Sequence, residues 1–230
     1  MAKGASRLER IVAALRKLYG SLPPPPVTDP WEMVLFETLA YLASDAKREA
    51  AWARFRRAIG VRPERILAAP ASAILPMTRA GILAEDRVER LKDAAAIAVR
   101  DFDGDLDAAL AGSAVTARKA LRKFPGIGEP GAEKILLFSR REKVLALESN
   151  GLRALLRLGY GREEKSYAAS YASVREATRR ELRFDFDWLI AAHQLLRRHG
   201  QDLCKRARPH CDRCPLTREC VYFASAALGA

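Results

Sequence analysis

A chain of 230 residues that is 49% hydrophobic and 30% charged carries enough apolar material for a packed core and is not the composition of a disordered chain. Lys and Arg number 40 against 28 Asp and Glu, a net charge of +12 that favours a polyanionic partner. No run approaches 18 uninterrupted apolar residues and the N-terminal MAKGASRLERIVAALRKLYG lacks a secretion signal's apolar stretch, so no membrane span is expected and the chain is expected in the cytoplasm, where thiols stay reduced.

Alanine, leucine and arginine dominate, and β-branched residues are sparse, which favours helix. Residues 6–19 read as a helix with Leu8, Ile11, Val12, Leu15 and Leu18 on one stripe. PPPP at 23–26 ends it as a stiff linker. Asp29 suits a cap and Pro30 a first helical position, for a helix running through about Ala43. Helical patterns recur at 46–58, 63–69, 71–75, 84–100, 104–111 and 115–122, broken by Gly60, Pro63, Pro70, Gly81, Gly104 and Gly112. After FPGIGEPG come helices from Pro130 to about Arg140, at 149–158, 163–180 and 185–199, with Gly200 as the stop. No strand run is evident, so the expected class is all-α, built from short helices with short connections and no solenoid repeat.

The turn at 124–128 combines Phe124, Pro125, Gly126, Ile127 and Gly128. Glycine at 126 and 128 permits positive φ and close backbone approach. A helix follows at once, and its free amides and dipole make an anion site. With the helix at 115–122 in front, this is a helix-hairpin-helix, which grips phosphates without reading sequence. Arg122 and Lys123 add charge, so the candidate nucleic-acid contacts here are Arg122, Lys123, Gly126, Ile127 and Gly128. A plain αα-hairpin that only packs two helices is the competing reading.

The four cysteines, Cys204, Cys211, Cys214 and Cys220, fall in CKRARPHCDRCPLTREC with spacings of 6, 2 and 5. Clustering of this kind argues against a disulfide framework and for a ligated centre. Zinc and iron–sulfur both accept four thiolates, although zinc sites more often show two C-x2-C pairs and one is present here. Lys205, Arg206, Arg208 and Arg213 lie on the same loop, which a metal centre would rigidify into a phosphate-contacting surface.

LRKFPGIGEPGAEKILL resembles the hairpin of the HhH-GPD superfamily of DNA glycosylases, the endonuclease III and adenine glycosylase group. The cysteine spacing resembles that group's [4Fe–4S] loop, and His199-Gly200 stands ahead of the first cysteine as in its H-G-x-x-x-C pattern. The likeness covers nearly the whole chain and strengthens from about residue 115. It implies a helix-hairpin-helix DNA glycosylase fold, with a six-helix barrel domain over 30–142 and a helical iron–sulfur domain from 1–29 and 143–230. It also implies a [4Fe–4S] cluster on the four cysteines and a monomer acting on double-stranded DNA with a lesion or mismatch. The family flips the target base out and fills the gap with side chains from two loops. Ile82 and Leu42 fall near those wedge positions, with a core position favoured for Leu42.

The family's catalytic aspartate lies in a V-D-T-H-V-x-R-V segment, which appears here as LALESNGLRALLRLG. Arg153, Arg157, Leu158 and Gly159 hold the register, which puts Glu148 at the aspartate and Ser149 and Asn150 at the Thr-His pair. Glu148 is therefore the candidate catalytic carboxylate, with a helix-capping acid as the alternative. The Schiff-base lysine of bifunctional members is replaced by Pro130, which has no nucleophile; Lys134, one turn on, is not assigned that role. Glu37 aligns with the glutamate that adenine glycosylases use to protonate the leaving base, although the glutamine-rich segment that should follow is absent. The expectation is a monofunctional DNA glycosylase. The alternatives are a non-catalytic protein that binds damaged DNA, and an interaction module if the cysteines hold zinc.

Overall fold

The structure, a computed structural model, describes residues 4–228. The chain forms two compact units, one from residues 1–24 and 143–230, the other from 25–142.

Helix α1 (Arg7–Tyr19) starts in the first unit under a capping box, in which Ser6 Oγ accepts from Glu9 N–H and the Glu9 carboxylate accepts from Ser6 N–H at 2.7 Å. Leu8, Ile11, Val12 and Leu15 are buried as the stripe requires, but Leu18 is exposed, so the apolar face ends a turn early.

The second unit holds eight helices among the described residues: α2 (Pro30–Leu39), α3 (Asp45–Ala58), α4 (Pro63–Ala68), α5 (Ala71–Thr78), α6 (Ala84–Phe102), α7 (Leu106–Ala109), α8 (Ala114–Leu121) and α9 (Glu129–Phe138). Asp29 caps α2 by accepting from Glu32 N–H at 2.8 Å, with Pro30 in the first turn. α6 is the hub, packed against α2, α4, α5 and α7. The core is continuous, with Phe55, Phe124, Leu35, Leu39, Ile66, Ile74, Met77 and Leu91 fully buried. Trp52 packs edge-on to Phe36 and stacks on Phe55.

Back in the first unit, α10 (Ser149–Arg157), α11 (Tyr167–Thr178) and α12 (Phe186–Asp202) precede the cysteine loop, and α13 (Val221–Leu228) follows it. The reading of the sequence contained no helix at 221–228. α10 packs chiefly on α12, which also meets α1. No strand occurs among the described residues, and no described helix is long and apolar enough to cross a membrane.

Gly200 does not stop α12, which continues to Asp202. A Cβ at Gly200 would stand 2.4 Å from the Asn150 carbonyl oxygen. The glycine is there to let α10 and α12 touch backbone to backbone. Gly200→Ala must push the two helices apart, and a stability loss of about 3 kcal/mol is expected, the upper end for overpacking. Denaturant unfolding measures it; a loss under about 0.5 kcal/mol would show that the contact is not tight.

Candidate functional site

In the second unit, α8, the turn and α9 form the hairpin. Gly126 has φ +83°, a left-handed conformation that favours glycine, whereas Gly128 has φ −87° and needs no glycine for its backbone. This corrects the expectation that both glycines supply positive φ. At 128 the value of glycine is openness: it caps α9 with no side-chain bond, and a Cβ there would meet only Pro130 Cδ at 3.9 Å. Glycine at 128 therefore adds no side chain at the start of α9, where the first-turn amides have no partner within the helix. Ile127 is only 6% exposed, so its side chain belongs to the core and its backbone alone is left for a ligand. Pro130 lies in the first turn, where it removes no intrahelical bond.

The cations beside the turn are already paired. Arg122 reaches Glu129 at 3.4 Å, and Lys123 reaches Asp101 at 2.9 Å while lying over the Phe102 ring. Arg118, behind them, joins Glu129, the fully buried Glu133 and Glu142 at 3.6, 3.3 and 2.9 Å. That network ties α8 to α9 and was not legible in the motif.

Two loops of the same unit make an apolar knuckle. Ile82 N–H donates to the Tyr41 carbonyl at 3.0 Å, and Gly81 lies so close that a Cβ would be 2.4 Å from the same oxygen. Leu42, Ile82 and Leu83 are 68%, 49% and 57% exposed. The core reading of Leu42 is overturned: α2 stops at Leu39, and Leu42 has φ +57° in a turn that aims its side chain at solvent. The Arg87 guanidinium stacks on the Tyr41 ring at 4.3 Å behind this knuckle.

Glu37 on α2 sits between two cations, Lys134 of α9 at 2.5 Å and Arg48 of α3 at 4.0 Å. Lys134 follows Pro130 by four residues and shares its face of α9. The lysine thus engages the carboxylate that the sequence comparison singled out.

In the first unit, Glu148 caps α10. Its Oε1 accepts from Gly151 N–H at 2.6 Å and its Oε2 from the Asn150 amide at 2.8 Å. Asn150 Oδ1 in turn accepts from Arg153, whose Nε–H donates to the Cys204 carbonyl at 2.9 Å. A hydrogen-bonded chain therefore runs from the candidate carboxylate to the first cysteine. Burial, and then the charge of Glu148, push Tyr167 up to about 12. Nothing in the sequence pointed to Tyr167 at this place.

Arg157, one turn beyond Arg153, donates to the carbonyls of Lys205 and Arg206 at 2.8 and 2.9 Å, lies 3.5 Å from Cys204 Sγ, and stacks on Tyr222. α10 thus grips the cysteine loop with two arginines. None of the four cysteines forms a disulfide, and each is half-buried. They line one pocket, walled by Leu158, Leu203, Leu216 and Phe223. Among the described residues no three ligating side chains are grouped closely enough to hold a metal ion. Four thiols of this arrangement fit a small multi-atom centre, which supplies the charge that keeps them as thiolates. Burial first, and then the neighbouring cysteines, raise the thiols of Cys211 and Cys214 above their ordinary value. Lys205, Arg206, Arg208 and Arg213 are exposed on this loop, and no carboxylate pairs with them among the described residues.

These features are those of a helix-hairpin-helix DNA glycosylase fold. The chain superposes on a trapped endonuclease III–DNA covalent intermediate with a TM-score of 0.76 and 19% identity, covering 95% of this chain and 96% of that one. A thermostable thymine-DNA glycosylase gives 0.74 and 18%, covering 95% and 97%. In sequence, the chain is 26% identical over 191 residues to endonuclease III of Sulfolobus acidocaldarius, spanning 83% of this chain and 81% of that protein. It is 31% identical over 107 residues to endonuclease III of Rickettsia conorii, about half of each protein at 46% and 47%. No protein-family model matches. The chain therefore has the fold of these proteins and is similar in sequence to endonuclease III.

Proposed function

We propose that the protein is a DNA glycosylase of base excision repair that hydrolyses the N-glycosidic bond of a damaged or mispaired base without a Schiff-base lysine. The observation that carries this reading is Glu148. It lies in the register of the family's catalytic aspartate and its carboxylate is held at the α10 cap from two sides. A carboxylate fixed in place stabilises the positive charge that grows on the sugar as the base departs, and it can orient the attacking water. Glu37, paired to Lys134 and Arg48, is the second candidate group, for the leaving base. Leu42 and Ile82 present apolar side chains suited to the gap that a flipped base leaves in the stack. The four cysteines hold a [4Fe–4S] cluster whose role is to fix the loop that carries Lys205, Arg206, Arg208 and Arg213. The protein acts as a monomer on double-stranded DNA.

The charges divide the DNA contacts into two kinds. Each alanine replacement at Lys205, Arg206, Arg208 or Arg213 is expected to lower the slope of log K against log salt by about 0.9. Arg122→Ala and Lys123→Ala are expected to change it less, because Glu129 and Asp101 already offset those cations. Anisotropy titrations of a labelled duplex across a salt series check this, and equal slopes for both groups would remove the distinction.

A second reading, a non-catalytic binder of damaged DNA, is favoured by the fact that both carboxylates have partners in place. Labelled duplexes carrying uracil, thymine glycol, 8-oxoguanine opposite adenine, hypoxanthine, alkylated purines or an abasic site decide the matter when run with and without hot alkali. Breaks that need alkali establish excision without lyase action. Breaks without alkali refute the monofunctional assignment. No breaks, with retained binding to the abasic duplex, establish the binder.

A further inference from the structure

Tyr19, the last residue of α1, is 180 residues away in sequence from His199, yet its hydroxyl lies 3.4 Å from His199 Nδ1. The two rings meet edge-on at 6.4 Å. The other ring nitrogen, Nε2, lies 3.6 Å from Cys214 Sγ, within the range of a hydrogen bond to sulfur. The imidazole is buried inside α12, and its backbone carbonyl is fixed by accepting from Leu203 and Cys204 N–H at 3.0 and 2.8 Å. The ring's tautomer is left to Tyr19 and Cys214.

The donor roles follow from chemistry. A metal-bound cysteine sulfur has no proton and can only accept, so Nε2 must carry the hydrogen. Burial, and then Asp202, push Tyr19 up to about 12, so its phenol keeps its proton and is the donor to Nδ1. The hydrogens all point one way, from Tyr19 through His199 to Cys214.

We propose that Tyr19 is a positioning residue for the metal centre: by donating to His199 Nδ1 it commits Nε2–H to the Cys214 sulfur, and this bond raises the reduction potential of the centre. The direction follows because a donor to a ligand sulfur stabilises the more negative, reduced state. The inference rests on the [4Fe–4S] reading of the four cysteines.

The test is Tyr19→Phe in the full-length, iron-loaded protein. Phenylalanine keeps the ring and its edge-on packing and removes only the hydroxyl. Three quantities are measured: iron per chain, the reduction potential by optical titration, and the coupling of the exchangeable N–H proton to the reduced centre by pulsed electron–nuclear resonance. The expected result is full iron, an unchanged melting temperature, a potential shifted to more negative values and a weakened proton coupling. A merely structural Tyr19 would move the melting temperature and leave the potential alone. Full iron with an unmoved potential and coupling overturns the inference while the cluster reading stands. A protein that purifies with zinc and no iron overturns the cluster reading and the inference with it.

Discussion

Cys204→Ser is expected to abolish iron binding and to lower the melting temperature of the protein by about 10 °C, a loss of about 3 kcal/mol for a chain of this size. The reason lies in what the loop has besides its metal. Between α12 and α13 it contains two short 3-10 turns, Cys211–Arg213 and Thr217–Glu219, and it carries the exposed cations Lys205, Arg206, Arg208 and Arg213. Such a segment buries little apolar surface of its own, so the proposed metal centre is what would supply its order. Cys204 is the ligand where the damage spreads furthest. Its carbonyl accepts from Arg153, its sulfur neighbours Arg157, and its N–H closes the end of α12 on the His199 carbonyl. Serine preserves the backbone bonds and removes the soft donor, so the variant isolates the ligand role. Iron analysis and calorimetry on the same preparation read it, and full iron with unchanged melting would refute the assignment of Cys204 as a ligand.

Glu148→Gln is expected to reduce base excision by about 10²–10³-fold while DNA affinity and stability stay near the parent's. The capping geometry lets the substitution keep the start of α10. A glutamine oxygen can still accept from Gly151 N–H, so the α10 start survives, while the charge and the bond accepted from the Asn150 amide are removed. Glu148→Ala removes cap and charge together and is expected to cost an additional 1 kcal/mol or so of stability. Single-turnover excision, duplex binding and unfolding measured on the parent and both variants distinguish the roles. Excision by Glu148→Gln at the parent's rate would return Glu148 to a purely capping part and leave the chemistry to another group.

The features legible in the sequence were the ones written locally. Asp29-Pro30, the Gly126 turn with its following helix, and the four-cysteine spacing each need only a few neighbouring residues to be read. Those it concealed depend on a partner far along the chain. Apolar periodicity continues past Leu39, yet the close approach of Gly81 to Tyr41 holds residues 40–43 in a turn and exposes Leu42. Gly200 stands where a stop signal would, and only Asn150 explains it. α13 is a short apolar run without a polar face, which gives no helical period to detect. At the candidate site, register with the family motif was enough to single out Glu148. Its link through Asn150 and Arg153 to Cys204 required the fold, as did the neutralisation of Lys123 by Asp101, twenty-two residues earlier.

Asn150 stands at a crossing of constraints. Its backbone oxygen is the surface against which Gly200 is fitted, its amide donates to Glu148, and its side-chain oxygen accepts from Arg153. The side chains at 148, 150 and 153 are therefore joined in one hydrogen-bonded chain. A shorter carboxylate at 148 that keeps the Gly151 cap draws back from the Asn150 amide, and a different side chain at 150 unseats Arg153 from its place between the cap and the cysteine loop. The atypical motif is thus expected to persist or to change as a block, and mutational scans that sample single positions will show strong epistasis among 148, 150 and 153.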